Sequence, residues 1–151
     1  MAMAIDLAGP FAHVALPIRT PRLVLRPLEA GDLGAYAAYH ADPEIQRWLE
    51  RRQRPLRGST LRPRLCKEAT ETADRRRLVL GVVGAHDGRL VGRCSAFSSD
   101  SSDAPRGFRV GLSIGLLASA RRQGFARESV AALLAAVRRP AEALQLRIWM
   151  D

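Results

Sequence analysis

The spacing of apolar and polar residues along this 151-residue chain predicts alternating strands and helices. Short apolar runs bounded by turn residues are typical of strands, and longer runs with apolar residues every three or four positions are typical of helices. The predicted strands cover 23–28, 77–83, 89–97, 108–117 and 144–150. The predicted helices cover 33–40, 44–51 and 126–137, and 61–73 has weaker helical character. Without the weaker segment the order is β-α-α-β-β-β-α-β, which favours an α/β domain with a mixed sheet.

Turn and cap residues support several of these boundaries. Asp42 followed by Pro43 has the N-cap and first-turn proline arrangement of a helix start. Asp32 stands at the N-cap position of the helix predicted just after it. Asp87-Gly88 is a hairpin signal between two predicted strands. Two helices are therefore expected before the first hairpin of the sheet.

One segment, Arg121 to Ala126, carries a chemical signal at the junction between a predicted strand and a predicted helix. Gly124 lets several backbone N–H groups surround one small concavity, and the helix adds its own unpaired N–H groups and positive dipole end. This arrangement binds phosphate or pyrophosphate through the main chain, with charge-assisted bonds from the arginines. An ordinary basic loop that caps a helix is the alternative, and the segment by itself leaves both open.

The surroundings of this segment resemble the acyl-CoA-binding region of the GNAT N-acetyltransferases. Arg121, Gly124 and Ala126 match the three fixed positions of the family motif Arg/Gln-x-x-Gly-x-Gly/Ala. Four other ranges resemble further parts of the family pattern. Range 110–118 resembles the bulged fourth strand, and 128–134 resembles the start of the third helix. Ranges 19–28 and 42–45 resemble N-terminal stretches of the subgroup that includes ribosomal-protein N-terminal acetyltransferases.

The resemblance implies an α/β (α+β) fold, a GNAT-like mixed and mostly antiparallel sheet with flanking helices. It assigns 19–151 to one acetyltransferase domain and leaves 1–18 as a flexible N-terminal extension. In the family a further helix and two strands follow the strand that 144–150 resembles, whereas this sequence stops at Asp151. We therefore expect a domain incomplete at its C-terminus, with the last helix and strands missing. Its last strand would then have unpaired backbone groups that favour self-association through the exposed edge.

The resemblance also implies an acetyl-CoA-dependent N-acetyltransferase that acetylates a primary amine, either a protein N-terminus or a small molecule. Acetyl-CoA is the implied cosubstrate, and no metal is implied. The residues implied for pantetheine and the thioester carbonyl are Ser113, Ile114, Gly115, Leu116 and Leu117. The residues implied for the pyrophosphate are Arg121, Arg122, Gln123, Gly124, Phe125 and Ala126.

No catalytic residue is assigned from the sequence. Many family members carry a Glu on the fourth strand as general base, but Arg109 or Gly111 holds that position here. Glu128, in the first turn of its helix, is typical of a carboxylate that satisfies the helix dipole, and a role as base is the less favoured alternative. Tyr36 and Tyr39 either pack inward or line the acceptor groove. An inactive, truncated GNAT domain with only a CoA-binding or interaction role is therefore the alternative function.

Composition narrows the set of partners. The net charge of +9 suggests a nucleic-acid partner. However, the arginines are spread along the chain and aromatic residues are only 5%, which argues against a nucleic-acid-binding module. No apolar run reaches the length of a membrane helix, so we expect no membrane partner. Cys66 and Cys94 have neither metal-ligand spacing nor the pattern of a disulfide framework, which favours the cytoplasm.

Overall fold

The structure, a computed structural model, describes residues 9–50, 58–98, 108–138 and 144–148. Its strands are β1 (Ile18–Arg19), β2 (Leu23–Pro27), β3 (Leu78–Gly84), β4 (Leu90–Ser98), β5 (Phe108–Leu116) and β6 (Leu144–Ile148). Its helices are α1 (Leu33–Ala41), α2 (Pro43–Glu50), α3 (Leu61–Ala73) and α4 (Phe125–Val137). Each predicted strand and helix is present within a few residues, and β1 is additional. The predicted element ends at 51 and 149–150 lie outside the described residues.

The six strands form one sheet in the order β1 to β6. Neighbouring strands from β1 to β5 are antiparallel. β6 instead lies parallel to β5, in register from the pair Phe108/Leu144 to the pair Leu112/Ile148. A parallel neighbour requires a crossover connection, and α4 lies within it. The mixed, mostly antiparallel sheet with flanking helices is therefore confirmed.

The middle strand β3 is covered on both faces of the sheet. All of its residues except the last are buried, and their side chains alternate between two apolar clusters. Leu80 packs in the cluster that contains Leu133 of α4. Val79 packs in the cluster that contains Tyr36 of α1 and Leu65 of α3. Burial on both sides explains why this strand has a continuous apolar sequence instead of an alternating one.

The cap predicted at Asp42 is confirmed, and Asp32 stands at the predicted N-cap position of α1 without a side-chain bond to the helix. The Asp42 Oδ1 atom accepts two backbone N–H groups from the first turn of α2, as predicted. Asp32 makes no capping hydrogen bond to α1. Its carboxylate accepts two hydrogen bonds from the Arg26 guanidinium, at 2.8 and 2.9 Å, and one from the Glu29 N–H. A two-bond pair with a guanidinium is stronger than a bond to a neutral N–H group, so the contact with β2 prevails over the cap.

Residues 9–18 differ from the expected flexible extension. Phe11 is fully buried and Val14 is nearly so, both within the apolar cluster on the α4 side of the sheet. The Phe11 N–H donates to Arg75 O at 3.0 Å, and His13 Nε2 lies 2.9 Å from Val137 O. The segment thus bridges the ends of α3 and α4, and burial of its apolar side chains offsets the entropy cost of ordering it. Residues 1–8 of the expected extension lie outside the described residues.

A buried ion pair joins α3 to β4 on the other face of the sheet. The Glu68 carboxylate, only 2% exposed, accepts hydrogen bonds from Arg93 at 2.7 and 3.2 Å and from Arg64 at 3.2 Å. Burial would raise the pKa of Glu68, but the two guanidinium groups outweigh this effect and hold it below its usual value. The carboxylate is therefore ionised, and the hydrogen bonds offset its desolvation.

His40 of α1 lies near this ion pair and is 3% exposed. Its ring meets the rings of Tyr36 and Tyr39 edge-on, with centroid distances of 4.4 and 5.2 Å. Within the described part of the chain, neither ring nitrogen has a hydrogen-bond partner. Burial, reinforced by the positive charge of Arg93, lowers the pKa of His40 to about 4. Both tyrosines are buried, so of their two considered roles inward packing is confirmed.

Replacing Phe11 by Ala should lower the free energy of unfolding by about 3–4 kcal/mol, because the change removes a fully buried ring and leaves a cavity. Urea titration followed by circular dichroism measures this difference. Ala12→Ser is the matched control, because Ala12 is exposed and its replacement should change the free energy by less than about 0.5 kcal/mol. Equal stabilities of the two variants would show that Phe11 lies outside the core.

The protein should lose stability as the pH falls from about 6.5 to about 4. In this range His40 binds a proton in the unfolded chain but not in the folded protein. The pKa of this residue is lowered from 6.5 to about 4 in the folded state, so its contribution is complete above pH 6.5 and declines below it. Between pH 7.5 and pH 5 the expected loss is about 2 kcal/mol.

The test compares urea titrations of the wild type, His40→Phe and His86→Gln at these two pH values. His40→Phe should lose about 2 kcal/mol less than the wild type over the interval. His86 is exposed, and its replacement should leave the wild-type pH dependence unchanged. Identical pH dependence in all three proteins would rule out His40 as the source of the loss.

Candidate functional site

The glycine loop, Arg121–Gly124, leads from a 3₁₀ turn after β5 into α4. Arg122 and Gly124 have φ values of 60° and 80°, and the glycine at the N-cap of α4 adopts its value without side-chain strain. The first intrahelical bond runs from the Glu128 N–H to the Gly124 oxygen. The N–H groups of 125–127 therefore have no carbonyl partner within the helix. Together with the positive end of the helix dipole, they form an anion-binding geometry.

Arg22, from the turn between β1 and β2, braces this loop. Its Nη1 donates to the Gln123 oxygen at 2.9 Å, and its guanidinium lies over the Phe125 ring, 4.4 Å from the centroid. The Glu128 carboxylate accepts hydrogen bonds from Thr20 Oγ1 at 2.5 Å and from Arg22 Nε at 2.8 Å. The Thr20 bond, followed by the Arg22 bonds, lowers the pKa of Glu128. Glu128 therefore acts as an anchor between α4 and the first strands, at the first-turn position where the sequence predicted a carboxylate that satisfies the helix dipole.

Arg121 has internal partners on all three of its guanidinium nitrogens. Nε donates to the Leu116 oxygen at 3.0 Å, Nη2 donates to Asp42 Oδ1 at 2.9 Å, and Nη1 lies 3.0 Å from Glu44 Oε2. Burial would raise the pKa of Asp42, but the hydrogen bonds from Arg121 and from the backbone of α2 hold it below its usual value. The side chain implied for the pyrophosphate thus ties the end of β5 to the start of α2.

A cleft of about 270 Å³ opens between α2 and β5, and we call it the α2–β5 cleft. Five of the sequence-predicted site residues line it: Ile114, Gly115, Leu116, Arg121 and Ala126. Its other wall consists of three residues of α2 that were not predicted as site residues: Glu44, Ile45 and Trp48. Ile45 and Trp48 are three positions apart, so the sequence shows that they share one face of α2. It does not show which strand that face contacts.

The remaining predicted residues lie elsewhere. A second hollow of about 270 Å³, on the side of the β3–β4 hairpin, is lined by Leu117, Gln123 and Phe125 together with hairpin residues. The Ser113 hydroxyl lies 2.6 Å from the Ser95 hydroxyl of β4. Arg122 and Gly124 line neither the α2–β5 cleft nor this second hollow. The structure therefore brings together about half of the predicted cofactor residues in one cleft.

The end of β5 is paired on one side. Its first five residues lie between β4 and β6, whereas for 113–116 the only partner strand among the described residues is β4. In an antiparallel ladder alternate residues direct their N–H and C=O groups to the same neighbour. Part of the backbone of 113–116 therefore points away from β4, beside the cleft.

The bulge expected in this strand is absent from the described β4–β5 ladder. The register runs without interruption from the pair Ser98/Val110 to the pair Gly92/Leu116. The Leu117 N–H then continues the ladder to Val91 O at 2.8 Å, which leaves no extra residue on β5. The register shift in this sheet instead lies between β3 and β4, outside the predicted site.

Gly115 allows the helices to approach β5 closely. A Cβ atom at this position would overlap the Tyr39 hydroxyl and lie 3.0 Å from Ile45 Cδ1. Tyr39 is buried between α1 and the sheet, and its pKa is raised by that burial. Any larger residue at 115 would push α1 and α2 away from the strand, so the width of the cleft depends on this glycine.

The described ranges hold neither a metal-binding cluster nor a membrane-spanning helix. No group of three or more His, Cys, Asp or Glu side chains there is arranged to hold a metal ion. In the same part of the chain, no helix has the length and apolar character that would let it cross a bilayer.

Solved structures with the same fold include three acetyltransferases. The chain is 22% identical to an acetyltransferase from Agrobacterium tumefaciens (TM-score 0.58, 79% of this chain and 65% of that one). It is 17% identical to a GNAT-family acetyltransferase from Bacillus anthracis (TM-score 0.61, 79% and 64%). It is 15% identical to RimL, described as a ribosomal L7/L12 alpha-N-protein acetyltransferase (TM-score 0.61, 79% and 62%). The chain thus spans 62 to 65% of the length of these proteins.

No curated protein sequence matches the chain. The profile of the acetyltransferase (GNAT) domain does match, over residues 22–150. The order of strands and helices, the parallel pair β5–β6 and the left-handed glycine before α4 agree with that match. The chain therefore belongs to the GNAT acetyltransferase family.

Proposed function

We propose that this domain transfers an acetyl group from acetyl-CoA to a primary amine. The observation that supports this proposal best is the α2–β5 cleft, where the half-paired end of β5 and the glycine loop meet. Family membership gives acetyl transfer to an amine as the general activity. The acceptors proposed are a protein N-terminus or a small amine. The free cysteines Cys66 and Cys94 fit the proposed cytoplasmic location.

The residues present fit acetyl-CoA in two places. The N–H groups at the start of α4 and the left-handed Gly124 suit the pyrophosphate, as in other helix N-terminal phosphate sites. The backbone groups of 113–116 that face away from β4 suit the amides of the pantetheine arm. Because the Arg121 side chain is already bound to α2 and Leu116, we propose that this residue supports the pyrophosphate through its loop backbone.

When bound, acetyl-CoA would supply the acetyl group as a reactive thioester. The task of this chain is then to hold the thioester carbonyl near backbone N–H groups of β5, which stabilise negative charge on its oxygen. The acceptor must also arrive with a free electron pair, which requires a proton acceptor. β5 has no Asp or Glu along Phe108–Leu116, so a proton acceptor must come from another element or from solvent.

The missing strand carboxylate supports a second candidate function. A domain that binds CoA without efficient turnover, in a binding or interaction role, needs the glycine loop but no base. The two functions differ in turnover and agree in cofactor binding. CoA binding and turnover therefore have to be measured separately to distinguish them.

Replacing Gly124 by Val should weaken CoA binding at least tenfold, as measured by titration calorimetry. A β-branched residue strains the φ of 80°, and its Cβ would lie 3.3 Å from Arg22 Nη2, so the loop must shift. Gly58→Val is the matched control, because Gly58 also has a positive φ, 56°, with no atom within 4 Å of its Cβ position. If both variants bind CoA as the wild type does, the glycine loop is not the pyrophosphate site.

Amine-dependent release of the CoA thiol should distinguish the two candidate functions. The wild type should release thiol from acetyl-CoA faster in the presence of a leucine-initiated tetrapeptide or of n-butylamine than without either, because a proposed acceptor is then available. CoA binding by calorimetry without any amine-dependent release would favour the binding role. The absence of both binding and release would refute the proposed function.

A further inference from the structure

We propose that Glu44 binds the ammonium group of the acceptor in the α2–β5 cleft, and that the acceptor carries an apolar substituent beside its amine. This inference rests on the proposed function and adds to it the residue and the class of amine. From the sequence, Glu44 belongs to the stretch 42–45 that resembles the family subgroup, but it has no predicted role in the site, because it is far along the chain from the glycine loop. It follows from the three-dimensional arrangement of α2 and β5.

The position of Glu44 is fixed by two independent contacts. Its backbone N–H donates to Asp42 Oδ1 at 3.0 Å, which caps α2. Its carboxylate lies 3.0 Å from Arg121 Nη1, and Arg121 is itself held by the Leu116 oxygen at the end of β5. The carboxylate is thus placed on the cleft wall that faces 114–116.

The cleft brings one exposed carboxylate next to a guanidinium that has other partners. Of the described residues that line it, Glu44 is the one acid and Arg121 is the one base. Asp42 also binds Arg121, so two carboxylates surround one guanidinium. The charge of Arg121 is therefore matched by Asp42, and the exposed Glu44 carboxylate can attract a cation even on a chain with a net charge of +9.

Glu44 has more capacity for a second partner than Arg121. The Glu44 side chain is 66% exposed and that of Arg121 is 25% exposed. Each guanidinium nitrogen of Arg121 already has an acceptor within 3.0 Å. A carboxylate offers about four acceptor positions on its two oxygens, so one contact with Arg121 leaves room for an ammonium group.

The rest of the cleft is apolar. Ile45 and Trp48 stand on the α2 wall, and Ile114 and Leu116 stand on the β5 wall. A bare ammonium ion would gain nothing from these side chains, whereas an alkyl or aryl group next to the amine would be removed from water. The cleft therefore favours apolar primary amines over highly charged ones.

Two small probes of equal length separate the charge from the apolar contact. n-Butylamine is a cation at neutral pH, and n-butanol has the same chain without the charge. Binding of each is followed by the shifts of the Gly115 and Trp48 amides in ¹⁵N–¹H correlation spectra, because both residues line the cleft. The wild type should bind the amine at least tenfold more tightly than the alcohol.

Glu44→Gln should abolish the preference for the amine over the alcohol. Glu44→Asp should retain at least part of this preference, because it keeps the charge on a shorter side chain. Asp74→Asn is the charge-matched control, since Asp74 lies outside the cleft at the end of α3 and its side chain is 49% exposed. This control should keep the wild-type preference. Thermal melts establish that each variant is folded.

Equal binding of amine and alcohol by the wild type, or an unchanged preference in Glu44→Gln, would overturn the assignment of Glu44. Neither result depends on acetyl-CoA, so the proposed function is judged separately by CoA calorimetry and thiol release. Loss of CoA binding with an intact amine preference would refute the proposed function and leave the amine site in place.

Discussion

The candidate site depends on the guanidinium of Arg121, which joins the end of β5 and the glycine loop to α2, 79 residues earlier in the chain at Asp42. It holds the end of β5 through the Leu116 oxygen and the start of α2 through Asp42 and Glu44. Charge-assisted hydrogen bonds of this kind are stronger than neutral ones, and each also fixes a direction. Since the α2–β5 cleft has one wall on each of the joined elements, its width and its charge both follow from this side chain.

Close packing of backbone against side chain is the second constraint on the site. Gly115 leaves room for the Tyr39 hydroxyl, and Gly92 on β4 lies so near the Gly115 oxygen that a Cβ there would overlap it. Gly115 thus lets α1 and α2 approach the sheet near the cleft, and Gly92 lets β4 and β5 pair closely beside it. Behind them the ion pair of Glu68 and Arg93 and the neutral His40 fill the space between α1, α3 and β4. The floor of the cleft is thus a packed, hydrogen-bonded layer.

The sequence predicted the strands and helices well, because their apolar spacing is a local property. It also located the glycine loop, since a glycine before a helix start is visible in a short segment. It did not find Glu44, Ile45 and Trp48, because their contact with β5 depends on how α2 packs on the sheet. The same reason explains Phe11: an isolated aromatic near the N-terminus shows no periodicity, and its burial depends on the ends of α3 and α4.

The overall charge of the chain is a poor guide to its ligand. The total of +9 does not say where the charges lie, and salt screens exposed charges beyond about 8–10 Å. At short range the arrangement is different, because Arg121 is outnumbered by Asp42 and Glu44. A ligand amine therefore meets a carboxylate in the cleft, while the start of α4 offers N–H groups to a phosphate. Under the proposed function, an anionic cosubstrate at the start of α4 and an amine at Glu44 would bind side by side.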